Sequence, residues 1–380
     1  MAAAGPELNV PLRHPRVLHG RAIRDVVVTL PDGEVGHATY RMPLRPTHEY
    51  VREIRPLLPA EAFRPARSRL AWIPAHLAII ALSVVVLAAV APAWPIKLLL
   101  SLCIGGSFAG LTFLGHETMH GAVVRNPRLL RIVGWLGFLP FVVSPRLWLA
   151  WHNRVHHGNA NRPGVDPDAY PTLTEYRQNR AVRIATDVAA PGRRRLRGAL
   201  SLLFGFSVQS AHMLVDAGKR GLLSPRQHRL AILETALGIG IWALLLWVIG
   251  PLPFVFAFVL PLMVANSIVM GHILTNHSLS PHSEVNDPLA HSLSVTAPRW
   301  IEWVTLRFGY HVEHHLFPAM SSRHAPKVRD VLRARWPQSY QSLPLVAALL
   351  ALHRTPRVYK DETTLIDPGT RQEFRLTQGI

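Results

Sequence analysis

Cysteine is almost absent from this 380-residue chain. Cys103 stands alone, so no intramolecular disulfide and no cysteine-built zinc module can form. Charge is scarce as well: 17% of residues are Asp, Glu, Lys or Arg, against 49% hydrophobic, and mean hydropathy is positive at +0.18. That balance excludes an ordinary soluble protein, and a disordered chain could not carry so much apolar residue and stay unfolded. Lysine is nearly missing, with only Lys97, Lys219, Lys327 and Lys360; the other 37 of the 41 basic residues are Arg. Arg in place of Lys, with abundant Ala and Pro, points to a GC-rich bacterial source. Acidic residues number 23, leaving a net charge of +18.

What is present is long apolar sequence. Runs at 70–94 (interrupted by His76), 98–115, 235–250 and 252–271 approach or exceed the span of a bilayer core. That core is ~30 Å thick and takes about 20 helical residues to cross. The third run reaches this length by recruiting residues 230–233 and burying or snorkelling Glu234. The links at 91–95 and at Gly250-Pro251 are short enough that each pair of runs reads as a helical hairpin. Stretches 129–151 and 201–215 are apolar but interrupted and read as interfacial or re-entrant. Basic segment 323–336 reads as a surface helix on lipid headgroups.

Basic residues orient the chain. Eleven precede residue 70, 17 lie between Gly115 and Leu230, and 12 follow Gly271, whereas Lys97 alone sits beside a short link. The excess marks the cytoplasmic face, so both termini and the middle loop are expected there. Charge spread along membrane flanks needs no nucleic-acid partner. The predicted architecture is an all-α integral membrane protein with four transmembrane helices as two hairpins. A cytoplasmic helical cap holds a His-rich two-metal site. Its divisions are a cytoplasmic N-terminal segment at 1–68, a membrane domain at 69–340 and a cytoplasmic tail at 341–380. The first segment has no apolar run long enough for a signal peptide, and carries a small β-hairpin at 26–40 around Pro31-Asp32-Gly33.

Of 21 histidines, eight fall in three short windows: His116 and His120; His152, His156 and His157; His311, His314 and His315. On a helix, residues three or four apart share a face with Cβ atoms about 5–6 Å apart, so both rings of such a pair can reach one metal. A doubled His-His turns its extra ring toward a second ion. Eight imidazoles are too many for one ion and suit two. All-nitrogen ligation fits Zn, Cu, Fe or Ni. The first window also matches His-Glu-x-x-His, the zinc protease signature with Glu117 as base. That reading leaves two windows idle and finds no Asp-Gly pair in the later spans. A carboxylate di-iron bundle would need facing glutamates that are missing.

The windows, their order and their placement around two hairpins resemble the membrane fatty acid desaturase family, over roughly residues 72–335. Gly115-His116-Glu117-Thr118-Met119-His120-Gly121 is similar to that family's first His box. Trp151-His152 through His157, followed by Asn159 and Asp166-Pro167-Asp168, is similar to the second. His311-Val312-Glu313-His314-His315-Leu316-Phe317-Pro318 is similar to the third, although many relatives carry Gln where His311 stands. The resemblance implies a multi-pass enzyme, here of the bacterial inner membrane, that uses two Fe ions and O2 to place a double bond in a fatty acyl or lipid chain. A related hydroxylase or ketolase would use the same ligands. It implies a further ligand before the third box, His277 ahead of His272. Glu117, Glu313, Asp166 and Asp168 are expected to orient imidazoles. No His-Pro-Gly-Gly segment marks a fused cytochrome b5 domain, so a separate ferredoxin or cytochrome b5-type donor is expected.

Overall fold

Four long helices form the scaffold: Trp72–Val85, Trp94–Met119, Pro225–Ile249 and Leu260–His277. The computed structural model describes residues 44–192 and 195–376 and the N-terminal strands Asp25–Thr29 and Val35–Thr39. Those strands pair antiparallel, Asp25 opposite Thr39; the Pro31-Asp32-Gly33 turn lies outside the described residues.

Punctuation in the sequence sets the hairpins. The first apolar helix widens over Val86–Val90 and stops at Ala91, which is left-handed at φ 46°. Pro92 follows, and Pro95 then sits in the first turn of Trp94–Met119, where its missing N–H costs nothing. Gly250, at φ 78°, separates Pro225–Ile249 from the helix that opens at Pro251 and continues to His277. Trp94–Met119 and Leu260–His277 pack against each other. His116 and His120 lie at the end of the first and His277 at the end of the second.

Five helices among the described residues are long and apolar enough to cross a membrane, against the four expected. The addition is Gly198–Lys219, within one continuous helix over Arg195–Lys219 rather than an isolated stretch at 201–215. It packs along Leu260–His277, with Asn266 Oδ1 accepting from the Ser207 backbone N–H at 3.1 Å. The polar residues that interrupt its apolar pattern thus bind protein.

Stretch 129–151 is a bent pair, Pro127–Phe141 and Pro145–Asn159, turning by 99°. Glu234 holds the bend. Its carboxylate accepts from Ser144 Oγ at 2.6 Å and Arg146 Nε at 2.9 Å, and its carbonyl accepts from Trp135 Nε1 at 3.1 Å. The anion expected to be a burden on its span is fully engaged. Pro127–Phe138 reaches Trp94–Met119 through glycines: a Cβ on Gly137 would lie 2.6 Å from Gly115 Cα.

The cap departs from the expected all-α pattern in two places. Ser294–Thr296 pairs in parallel with Ser342–Pro344, and Thr364–Ile366 antiparallel with Glu373–Arg375. Strands of three residues are too short to show an alternating period in sequence. The helix Ala325–Arg335 buries Ala325, Val328 and Leu332, the last two in a cluster with Tyr50, Ile54, Val312 and Leu316. Its apolar face is spent on protein rather than on headgroups.

Candidate metal centre

Nine imidazoles from four segments converge into two sets. His116, His120, His152, His157 and His314 form one; His156, His277, His311 and His315 form the other. Within each set the potential ligand atoms all lie within 4.8 Å of one another. In the first, His152 Nε2 is 3.1 Å from His116 Nε2 and 3.2 Å from His157 Nε2, which is 3.2 Å from His314 Nε2. In the second, His277 Nε2 is 2.7 Å from His311 Nε2 and 3.3 Å from His315 Nε2, with 3.2 Å between the last two.

Those separations suit a shared cation. Two nitrogens each ~2.1 Å from one ion, at ordinary coordination angles, stand about 3.0–3.4 Å apart. Three neutral rings turning Nε2 toward one point also leave lone pairs facing each other unless a cation lies between them. His120 Nε2 is buried among rings with no hydrogen-bond partner, an orphan that a metal would satisfy. Burial pushes His311 and His315 well below the usual imidazole range and His314 down to about 3, so their lone pairs are free at neutral pH.

Local backbone geometry explains the partition. His116 and His120, like His311 and His315, are four apart on α-helical turns and share a set, as the spacing predicts. The second window does not follow that rule. Leu149–His156 is wound in wider, π-type turns, which align residues five apart. His152 therefore joins His157, and His156 passes to the other set.

Carboxylates stand behind the rings. His156 Nδ1 is 3.0 Å from Asp166 Oδ1 and 3.3 Å from Asp168 Oδ2. Asp166 is itself fixed by the backbone N–H groups of Asn161 at 2.8 Å and Asp168 at 3.0 Å. Burial pushes the Asp168 carboxyl up to about 6 against the opposing pull of His156. Its Oδ1 accepts from Gln209 Nε2 at 2.5 Å, and it also groups with His152 and His156, bridging the two sets.

Glu313 accepts from Ser294 Oγ and Tyr340 Oη, both at 2.6 Å, and so anchors the third window to the cap. Burial raises its pKa. Glu117 lies 3.7 Å from Arg69 Nε and accepts from Ser321 Oγ at 2.6 Å and the Ser322 N–H at 2.8 Å. It is a tether across the site's edge, not a base aimed at bound water. His272 lies outside both sets, with Nδ1 2.8 Å from the Ile268 carbonyl. Sequence reasoning missed His291 and Asn161. The His291 carbonyl faces His277 Nδ1 at 3.4 Å, and Asn161 Nδ2 donates to the His277 carbonyl at 2.9 Å. Neither lies in a His window, so spacing carries no signal for them.

A narrow pocket touches both sets through His116, His152, His156, His277 and His311. Beside the imidazoles its wall is largely aromatic and apolar, with Phe113, Trp148, Phe308, Val269 and Ile273 among the lining residues.

Residues 90–345 match the family model described as fatty acid desaturase. The chain belongs to the fatty acid desaturase family. Among curated desaturases it is 24% identical over 276 residues to an sn-1 linoleoyl-lipid 6-desaturase of Synechocystis sp., covering 63% of this chain and 73% of that protein. It is 23% identical over 257 residues to a sphingolipid delta(4)-desaturase of Drosophila melanogaster, covering 66% and 70%. A chloroplastic omega-6 fatty acid desaturase of Arabidopsis thaliana is 22% identical over 240 residues, covering 61% of this desaturase and 52% of the plant protein.

Proposed function

We propose that this desaturase is an O2-dependent acyl-lipid desaturase whose two iron ions are held by the nine imidazoles. His116, His120, His152, His157 and His314 would hold one ion, and His156, His277, His311 and His315 the other. The observation that carries this reading is the pair of imidazole sets facing one aromatic-walled cavity. Bound iron supplies the oxidising chemistry that takes hydrogen from an unactivated methylene, beyond the reach of any side-chain acid or base. The protein's part is position and exclusion. Trp148 stacks against His152 with ring centroids 4.5 Å apart, and Phe308 lies 4.9 Å from His116. These rings keep bulk water from the reacting carbon and give the methylene chain an apolar wall. Asp166 fixes the tautomer of His156, leaving Nε2 free to ligate.

The topology supports four crossings. His157 and His277 meet at one centre, so an even number of crossings lies between them. Pro225–Ile249 and Pro251–His277 supply two, and Gly198–Lys219, which packs along Leu260–His277, is not counted as a separate crossing. The positive-inside rule then favours both termini and the site on the cytoplasmic side of a bacterial inner membrane. Electrons come from a separate ferredoxin or cytochrome b5-type protein; docking of an acidic donor on the basic face would weaken as salt rises.

Expression in a bacterium lacking the activity, followed by mass spectrometry of its fatty acids, tests the proposal. A new double bond with about two Fe per purified chain is expected. A new hydroxyl would reassign the reaction to a hydroxylase. Unchanged lipids with a single zinc would overturn the di-iron reading.

A further inference from the structure

A second, narrow cleft approaches the first imidazole set from another side. Its floor includes His116, His314 and Phe308, and its rim includes Arg307 and Ser322. Phe308 and Phe113 line both this cleft and the inner cavity, so the two spaces are neighbours across one aromatic wall.

The depth of the rim follows from tryptophans. The short helix Arg299–Val304 leaves Trp300 69% and Trp303 64% exposed. Trp303 packs on Trp72, with ring centroids 4.3 Å apart, at the start of the first apolar span. Exposed tryptophans beside the end of a span sit at headgroup level. Directly after them the chain turns through Leu306 at φ 51° and Arg307 at φ 60°, left-handed geometry that residues with side chains rarely adopt. The turn is held by the Arg307 N–H donating to the Glu302 carbonyl at 2.6 Å and by Arg307 Nη1 donating to the Arg323 carbonyl at 2.7 Å. An unfavourable backbone fixed this firmly keeps Arg307 on the rim.

Other cations gather there. Arg323 is exposed, with Nη2 donating to Ser68 Oγ at 3.0 Å. Lys327 is exposed one turn further on. Among the described residues, Arg307, Arg323 and Lys327 form no ion pair; Glu302 and Glu61 face this patch, and Glu117 and Glu313 line the cleft itself, Glu117 already engaged by Ser321, Ser322 and Arg69 and Glu313 by Ser294 and Tyr340. Three cations outside any ion pair at headgroup depth, Arg307 lining a largely apolar cleft and Arg323 and Lys327 beside it, match a phosphate with an acyl chain behind it.

We propose that Arg307, Arg323 and Lys327 form a phosphate-reading headgroup subsite for a membrane glycerophospholipid whose acyl chain enters the cleft toward Phe308. The assignment rests on the desaturase reading for its purpose, but the binding it describes needs no turnover. Coenzyme A thioesters also carry phosphate. The tryptophan-flanked rim favours the lipid, because a chain can slide in from the leaflet without first crossing water.

The test is displacement of a fluorescent phosphatidylglycerol from the full-length protein in neutral detergent. Competitors are dioleoyl phosphatidylglycerol, dioleoylglycerol (the same chains without phosphate) and oleoyl-coenzyme A. Wild type should be displaced by phosphatidylglycerol at about tenfold lower concentration than by dioleoylglycerol, as expected for one charge-assisted contact. In R323Q, a change at an exposed side chain, the preference should shrink severalfold, and in R307Q/R323Q it should approach one. Equal displacement by the two lipids in wild type, or an unchanged preference in R323Q, overturns the subsite. Displacement by oleoyl-coenzyme A ahead of phosphatidylglycerol overturns the lipid assignment in favour of the thioester. If phosphate preference holds while host fatty acids stay unaltered, the desaturase proposal fails and the subsite stands.

Discussion

His277 Nε2 lies 2.7 Å from His311 Nε2, although 34 residues and the whole Ser278–Tyr310 connection separate them. The contact joins the end of a span to the first residue of the third window, and it makes His277 a full member of one imidazole set. His277→Ala is therefore expected to empty one site of two. Iron in the purified protein should fall from about two to about one per chain, with desaturation lost and membrane insertion retained. Iron analysis beside a membrane flotation assay reads both. An unchanged iron content would remove His277 from the ligand set.

Asp166 touches no other imidazole so closely as His156, and it receives two backbone N–H groups that hold it still. Asp166→Asn keeps the shape and removes the acceptor charge. Loss of an outer partner of this kind costs about 10–100-fold in metal affinity. Chelator titration of the iron-loaded variant should show that loss, and a variant matching wild type would make Asp166 a folding residue only.

Packing against the first window depends on a bare backbone crossing. On Gly137 a methyl would meet Leu111 O at 2.7 Å and the Gly115 N at 2.9 Å, atoms that cannot rotate away. Gly137→Ala should push Pro127–Phe138 off Trp94–Met119 beside His116 and lower the melting temperature. Gly106, with nothing within 4 Å of a built Cβ, is the matched control, and Gly106→Ala should keep or slightly raise stability, since Ala favours the helix over Gly. A Gly137→Ala protein as stable as that control would show that the crossing relaxes freely.

His282 stacks on Tyr359, ring centroids 3.5 Å apart, and burial pushes its pKa down to about 4. A depressed histidine pKa means that the folded state refuses a proton the unfolded chain accepts. This contribution is fully present above about pH 6.5 and is lost as pH falls toward 4, amounting to about 3 kcal/mol at the acid end. Melting temperatures of wild type and His282→Gln, compared from pH 7 to pH 4, should show a shallower acid decline in the variant. Parallel declines would refute the assignment.

Much of the molecule was legible because its signals are local. Long apolar runs and Pro- and Gly-marked links report long apolar helices and their ends, since the capacity to cross a bilayer depends on length and composition alone. Three His windows report a cluster of imidazoles, since helical spacing puts His116 with His120 and His311 with His315. The Arg195–Lys219 helix was less legible. Its polar residues look like interruptions until Ser207 meets Asn266 and Gln209 meets Asp168.

By itself the sequence determined the three His windows, their order and the long apolar helices they follow. Tertiary structure alone decided how the rings divide. His156 and His157 are neighbours in the chain, as are His314 and His315, yet each pair splits between the two sets. Successive side chains point about 100° apart around a helix, so adjacent rings look toward different neighbours. The π-type turns at Leu149–His156 change that angle again. Which neighbour each ring meets depends on how distant segments pack, and no spacing rule contains that information.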